Sequence, residues 1–159
     1  MTRSPSFKQF GSAAVLTIGV MLCSAHAYAQ TISIDAAVAA AAQWVALADE
    51  NQAARMWGAS GAVMQKSISK DEWAKYLTTL RNELGDLNGR TWVQVVRPGQ
   101  PSNLPKGEYV NVVFSSRFDK APTEEAVSLV QTDGHWVPVG YVVHKIQPAA
   151  PAPAAPPAK

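Results

Sequence analysis

The chain has 159 residues, with 14 Lys plus Arg, 12 Asp plus Glu and one cysteine. Its basic residues do not cluster, which argues against nucleic-acid binding, because such proteins need a basic stripe that releases counterions from phosphates. A single cysteine excludes an intrachain disulfide, so the fold must be stabilised by its hydrophobic core.

The amino terminus predicts a secretory signal peptide. Arg3 and Lys8 give it a positively charged start, and residues 13–22 form an apolar run. This run is too short to cross a bilayer, which takes about 20 apolar residues. No later stretch is long enough either, so no transmembrane anchor is predicted.

The predicted cleavage point follows Ala29. Ala27 and Ala29 are the small residues that signal peptidase recognises, whereas the bulky Leu22 before Cys23 does not suit lipoprotein processing. Cleavage would remove residues 1–29, and with them the cysteine and the excess of basic charge. We therefore expect a periplasmic or secreted protein.

Two stretches in the first half predict amphipathic helices. The alanine-rich segment 34–49 follows the potential caps Ser33 and Asp35. Residues 70–84 follow a capping-box pattern, place their large apolar side chains on one stripe and stop at a glycine. A shorter helix is predicted for residues 52–59, before a glycine-containing link.

The second half of the chain changes to strand periodicity. Residues 90–97 and 108–118 read as strands, and a loop rich in Pro and Gly separates them. Residues 124–145 form two apolar runs around an Asp-Gly pair that is typical of a hairpin turn. Pro138 cannot donate to a sheet ladder, so it places the last strand at an edge or at a bulge.

Pairing outward from the Asp-Gly turn predicts the inner face of this hairpin. Leu129 would lie opposite Pro138, Val127 opposite Gly140 and Glu125 opposite Val142. One face would then carry a carboxylate together with several large apolar side chains: Val127, Leu129, Trp136 and Val142.

Helices followed by consecutive strands predict an α+β fold, in which N-terminal helices pack on a four-stranded antiparallel β-meander. The predicted domain covers residues 30–146. Residues 147–159 are dominated by Pro and Ala, which cannot form a core, so a disordered, polyproline-like tail is predicted there.

Short patches in a particular order run through the predicted domain: Trp44-Val45-Ala46-Leu47, Asp49, Trp57, Trp73, Leu84-Gly85, Arg90, Gly107-Glu108-Tyr109-Val110, Phe118, Lys120, Glu125, Val127, Asp133-Gly134, Trp136 and Gly140-Tyr141. In this order and spacing the chain resembles a bacterial envelope family called domain of unknown function 4019. Ala53, Ala126 and Pro138 depart from the usual family pattern. The resemblance implies a small secreted α+β domain with a cystatin-like or nuclear-transport-factor-like outline. It implies no established activity and no catalytic residue.

Glu125 is the most informative single residue, because the predicted register turns its carboxylate toward the core. A buried carboxylate needs a partner or a proton. The favoured interpretation is an ion pair with Arg90 on the first strand or Arg81 on the third predicted helix. The alternative is an unpaired carboxylate in a cleft that acts as a general base.

Other candidate chemistry is sparse. His135 and His144 are the histidines that remain after cleavage, and each falls near a strand end where a solvated side chain is the default. No pattern for a metal, a phosphate loop or another cofactor is present, so none is predicted. The aromatic residues are predicted to form the core rather than to line a ligand pocket, and they include Trp44, Trp57, Trp73, Trp92, Tyr109, Trp136 and Tyr141.

Two functions from different classes remain open at this point. One is a non-enzymatic binding or interaction module of the cell envelope, whose partner would be an envelope protein or a small ligand. The other is a small enzyme with a pocket, of the nuclear-transport-factor-like kind, in which a buried carboxylate moves protons.

Overall fold

A computed structural model describes residues 33–147. The predicted signal peptide lies outside the described residues, as does the predicted tail apart from Gln147. The described elements follow one another in chain order: α1 (Ile34–Asp49), α2 (Ala53–Gly58), α3 (Ala62–Ser67), α4 (Lys70–Leu84), β1 (Leu87–Val96), β2 (Tyr109–Phe118), β3 (Pro122–Thr132) and β4 (His135–Lys145).

The strands form an antiparallel sheet in the order β1-β2-β3-β4, so β1 and β4 are its edges. Helix α1 contacts all four strands of this open sheet. The predicted α+β class, with helices packed on a four-stranded meander, is confirmed.

Helix α1 packs closely on the sheet because its inner face is made mostly of alanine. The Ser33 side chain accepts a hydrogen bond from the Ala36 amide and caps the helix start. The buried positions follow a helical stripe, with Trp44 as the one large ring among small side chains: Ala37, Ala41, Trp44, Val45 and Ala48. Leu47, also in this helix, is only partly buried.

Helix α4 matches its predicted bounds. Ser69 and Glu72 form the reciprocal capping box at its start. Helix α3, in contrast, was not predicted, because its six residues show too short a pattern to recognise. Gly61, in the glycine-containing link before α3, is fixed against β4. Its amide donates to the Pro138 carbonyl, and a Cβ there would lie 3.0 Å from Val139 Cγ1, so glycine permits this close approach to β4.

Replacing Gly85 with Ala is expected to destabilise the fold. Gly85 has φ 78° and ψ −161°, a region open essentially to glycine alone, and a Cβ would lie 2.8 Å from the Asp119 Cβ. The backbone strain alone should lower the free energy of unfolding by about 1–3 kcal/mol. Gly58→Ala is the matched control, since nothing lies within 4 Å of its Cβ position. Equal urea midpoints for the two variants would contradict this expectation.

The β3–β4 hairpin has the predicted turn but not the whole predicted register. Leu129 pairs with Pro138, whereas Ser128 pairs with Gly140, so Val139 is an extra residue in β4. Both alternatives for Pro138 hold, because β4 is an edge strand and carries this irregularity.

This bulge makes the predicted pairs beyond Leu129 wrong by one residue. Val127 lies opposite Tyr141, and Glu125 lies opposite Val143. Because side chains alternate along a strand, the shift turns Tyr141 inward and leaves Val142 49% exposed.

Candidate functional site

A chain of four charged side chains joins the helices to the sheet. Glu125, from β3, has a side chain that is 0% exposed. Arg90, from β1, donates through Nε to Glu125 Oε2 at 2.9 Å and through Nη2 to Oε1 at 3.1 Å. Two parallel hydrogen bonds of this kind satisfy both oxygens of the carboxylate and hold it in one orientation.

The same guanidinium also contacts Asp49, the last residue of α1. Arg90 Nη1 donates to Asp49 Oδ2 at 2.5 Å, and Nη2 donates to Oδ1 at 3.2 Å. Arg81, from α4, completes the chain by donating through Nη2 to Asp49 Oδ1 at 2.7 Å. The order Glu125–Arg90–Asp49–Arg81 therefore alternates in charge and is neutral as a whole.

The structure places the three predicted ion-pair residues in one network, with different contacts for each arginine. Arg90 is the residue that contacts Glu125. Arg81 contacts Asp49 instead, and its guanidinium lies 4.9 Å from the centre of the Phe118 ring.

Asp49 is the member of the network that sequence reasoning missed. An acidic residue at the carboxyl end of a helix opposes the helix dipole, so it needs a compensating cation. The last turn of α1 contains no basic residue of its own. An acidic helix end without a basic neighbour indicates that Asp49 pairs with a cation elsewhere in the chain. Arg81 is a candidate for that cation, because it lies four residues after Leu77 and so on the apolar face of α4.

Arg90 stays charged despite its burial. Desolvation by itself disfavours the guanidinium charge, but hydrogen bonds and Coulomb attraction from Asp49 and Glu125 outweigh it and raise the pKa of Arg90 above its ordinary value. The network thus joins oppositely charged side chains in direct contact, and both oxygens of Glu125 already accept hydrogen bonds from Arg90.

Tyr141 lies beside this network with its hydroxyl buried. The oxygen has no hydrogen-bond partner among residues 33–147. Burial, and secondarily the negative charge of Glu125, raise the pKa of Tyr141 well above its ordinary value. A buried hydroxyl without a partner lowers stability, because its hydration is lost without replacement.

Tyr141→Phe is expected to raise the free energy of unfolding by about 1 kcal/mol at pH 7, since it removes that desolvated hydroxyl. In the parent, the folded state keeps the Tyr141 proton above pH 10 while the unfolded state releases it. Titration of Tyr141 therefore leaves the free energy of unfolding unchanged below pH 10. Above pH 10 it lowers that free energy by about 1.4 kcal/mol per pH unit. Urea unfolding between pH 7 and 11 should show a smaller alkaline loss for the variant. Parallel pH profiles would contradict this assignment.

Of several open depressions on residues 33–147, one lies beside the charged network and another borders Tyr141. The larger, of about 590 Å³, is polar and lies beside the outer end of the network, where Asp49, Arg81 and Lys120 line it. It does not include Glu125. The second, of about 380 Å³, lies between α4 and β4 with the end of α3, and none of its lining residues is charged. We call this second depression the α4–β4 groove, and its aromatic residues are Trp73, Tyr76 and Tyr141.

The predicted core aromatics divide into two groups. Trp44, Trp73 and Tyr141 contact one another, with ring centres 5.9–6.2 Å apart. The members of the other group each donate a hydrogen bond to a backbone carbonyl: Trp57 to Ile68, Tyr109 to Pro105 and Trp136 to Ser33. The prediction that Trp92 belongs to the core is wrong, because this residue is 51% exposed on edge strand β1.

Residues 40–141 match the family described as Protein of unknown function (DUF4019). The chain belongs to this family. The resemblance seen in the sequence is thus confirmed, and the matched range includes Asp49, Arg81, Arg90 and Glu125. A search of curated proteins finds no match. The family description assigns no activity, so it gives none of these residues a catalytic role.

The remaining polar candidates lie at the surface of this family member. His135 and His144 are exposed at the two ends of β4. Among the described residues, no three His, Cys, Asp or Glu side chains converge in a way that could hold a metal ion. In the same part of the chain, no helix is long and apolar enough to span a membrane.

Proposed function

We propose that this chain is an exported protein of the cell envelope and that it binds a partner or small ligand without catalysing a reaction. The observation that carries the proposal is the α4–β4 groove, an uncharged and aromatic depression of about 380 Å³ open at the surface. Ligand sites are concave, mostly apolar and provided with a few polar groups. The polar side chains in its lining include Ser67 and Tyr76, and Tyr76 is 37% exposed.

Glu125 supports binding over catalysis. A general base must lie within hydrogen-bond reach of the proton it removes. Both oxygens of Glu125 accept from Arg90, and its side chain is 0% exposed. A substrate in the polar depression of about 590 Å³ would contact Asp49 and Arg81 rather than the Glu125 carboxylate. The enzyme alternative therefore has less support.

Export is expected to produce a chain that starts at Gln30. The leader pattern supports cleavage after Ala29, and the bulky Leu22 argues against lipid attachment at Cys23. Intact mass spectrometry of the protein from a periplasmic fraction measures this directly. A species that retains Cys23 with added lipid mass, or a protein confined to the cytoplasm, would contradict the proposed location.

Ligand binding by the groove is tested by cross-linking in cells. A photoreactive side chain at position 76 would sit on the rim of the groove, where Tyr76 is 37% exposed. The same side chain at position 92 is the matched control, since Trp92 is exposed on the far edge of the sheet. The test uses a chain that ends at Gln147, and we expect cross-links to a second molecule from position 76 only. Equal products from both positions, or none from either, would contradict binding at the groove.

A further inference from the structure

The α4–β4 groove is chemically suited to an extended segment that offers carbonyl oxygens. Its aromatic wall comes from Trp73 and Tyr76, and the opposite wall comes from residues 139–143 of β4. The Trp73 indole N–H has no acceptor among the described residues. Grooves lined by aromatic rings recognise proline-rich segments in the polyproline II conformation, whose backbone makes no internal hydrogen bonds and so presents free carbonyls.

This chain contains such a segment. Residues 148–159 read PAAPAPAAPPAK, in which Lys159 is the only charged side chain. A polyproline II helix has about three residues per turn, so prolines three apart lie on one edge. Two pairs have this spacing: Pro148 with Pro151, and Pro153 with Pro156.

The segment begins at one end of the groove. Val143 lines the groove, and the chain leaves the sheet shortly after it, where the Ile146 amide donates to the Pro122 carbonyl at 2.9 Å. At the same end, Lys145 Nζ lies 3.1 Å from Glu83 Oε2 and joins β4 to α4.

The segment is also long enough to return along the groove. The seven residue steps from Val139, at the far end of the groove, to Ile146 span roughly 23 Å. The twelve residues from Pro148 to Lys159 span about 37 Å as a polyproline II helix. After a reversal at the end of β4, the segment can therefore cover the whole groove.

We propose that residues 148–159 fold back and bind the α4–β4 groove of their own chain as a polyproline II segment. The inference rests on the proposed function only in taking this groove as the ligand surface. Attachment to β4 keeps the segment at an effective concentration in the millimolar range, so even weak intrinsic binding suffices to occupy the groove.

Binding includes one local rearrangement. The Trp73 N–H is closed off from solvent, so a tail carbonyl reaches it only after a neighbouring side chain moves. Tyr76 is the side chain that can move aside, because its ring centre is 5.3 Å from that of Trp73 and it lies at the surface.

Nuclear magnetic resonance of the exported protein tests the proposal in three forms. These are the full chain, a chain that ends at Gln147, and a full-length variant with Gly in place of Pro148, Pro151, Pro153 and Pro156. We expect the Trp73 indole signal and the amide signals of residues 139–143 to shift on truncation. The glycine variant should match the truncated chain, and a synthetic peptide of residues 147–159 added to the truncated chain should restore the parent signals in a saturable way.

The Trp92 indole signal is the internal control and should stay constant, because Trp92 lies on the opposite edge of the sheet. Identical groove signals in all three forms would overturn the proposal. Shifts that depend on protein concentration and accompany a doubled mass would also overturn it, since they would assign the groove to the tail of a second copy. If only the tail proposal fails, the truncated chain still cross-links to a second molecule from position 76.

Discussion

Glu125→Gln is expected to lower the free energy of unfolding by about 3–5 kcal/mol. The substitution removes the charge that compensates Arg90 while leaving that guanidinium nine-tenths buried, with side-chain exposure of 10%. Arg81, Arg90 and Asp49 would then carry one positive charge in excess, and such a charge inside a protein loses its hydration without gaining an equivalent interaction. Asp49 would still hold Arg90 at one end, so we expect a destabilised fold rather than a different one.

Glu83→Gln is the matched control for this substitution. Glu83 also pairs with a cation, Lys145, but their side chains are 55% and 50% exposed. Pairs at the surface contribute about 0–1 kcal/mol, because water and salt screen them. Urea unfolding measures both variants. A Glu125→Gln variant as stable as the parent would contradict a structural role for the carboxylate and would favour the enzyme alternative.

Trp44→Ala is expected to cost about 3–5 kcal/mol. The Trp44 ring is 3% exposed and contacts Trp73 and Tyr141, so its loss leaves a cavity between α1, α4 and the sheet. Its indole N–H also donates to the Met56 carbonyl at 2.8 Å, and this buried carbonyl would lose its partner.

Trp92→Ala provides the comparison for the same change at the surface. Trp92 is 51% exposed on β1, so its truncation should change the free energy of unfolding by no more than about 0.5 kcal/mol. Thermal and urea unfolding of the two variants measures the difference. Similar losses at positions 44 and 92 would show that Trp92 is covered in solution and would contradict its placement at a free edge.

Local patterns determined most of the elements. The capping box at Ser69, the apolar stripe of α4 and the alternation in β2 each depend on neighbours along the chain, so they could be recognised without tertiary information. The Asp-Gly turn likewise follows from backbone preferences, and both of its residues have positive φ.

The bulge at Val139 shows where local patterns stop being sufficient. An extra residue in β4 reverses the orientation of every later side chain. Pro138 indicated a bulge only as an alternative to an edge strand, and the alternation of residues 139–145 does not decide between them. The position of Tyr141 in the core, and with it the composition of the α4–β4 groove, therefore required the paired strands. Helix α3 is similar, since a single short turn of helix is held mainly by its contacts with β4.

The network of charges divides in the same way. The sequence alone determined that Glu125 faces inward and that an arginine is the suitable partner, because strand alternation and the desolvation of a carboxylate are local or general properties. Only the tertiary structure decided that Arg90 binds both Glu125 and Asp49, and that Arg81 binds Asp49. The choice between two arginines depends on how α1, α4 and β1 pack together, and that packing is set by long-range contacts that no stretch of sequence contains by itself.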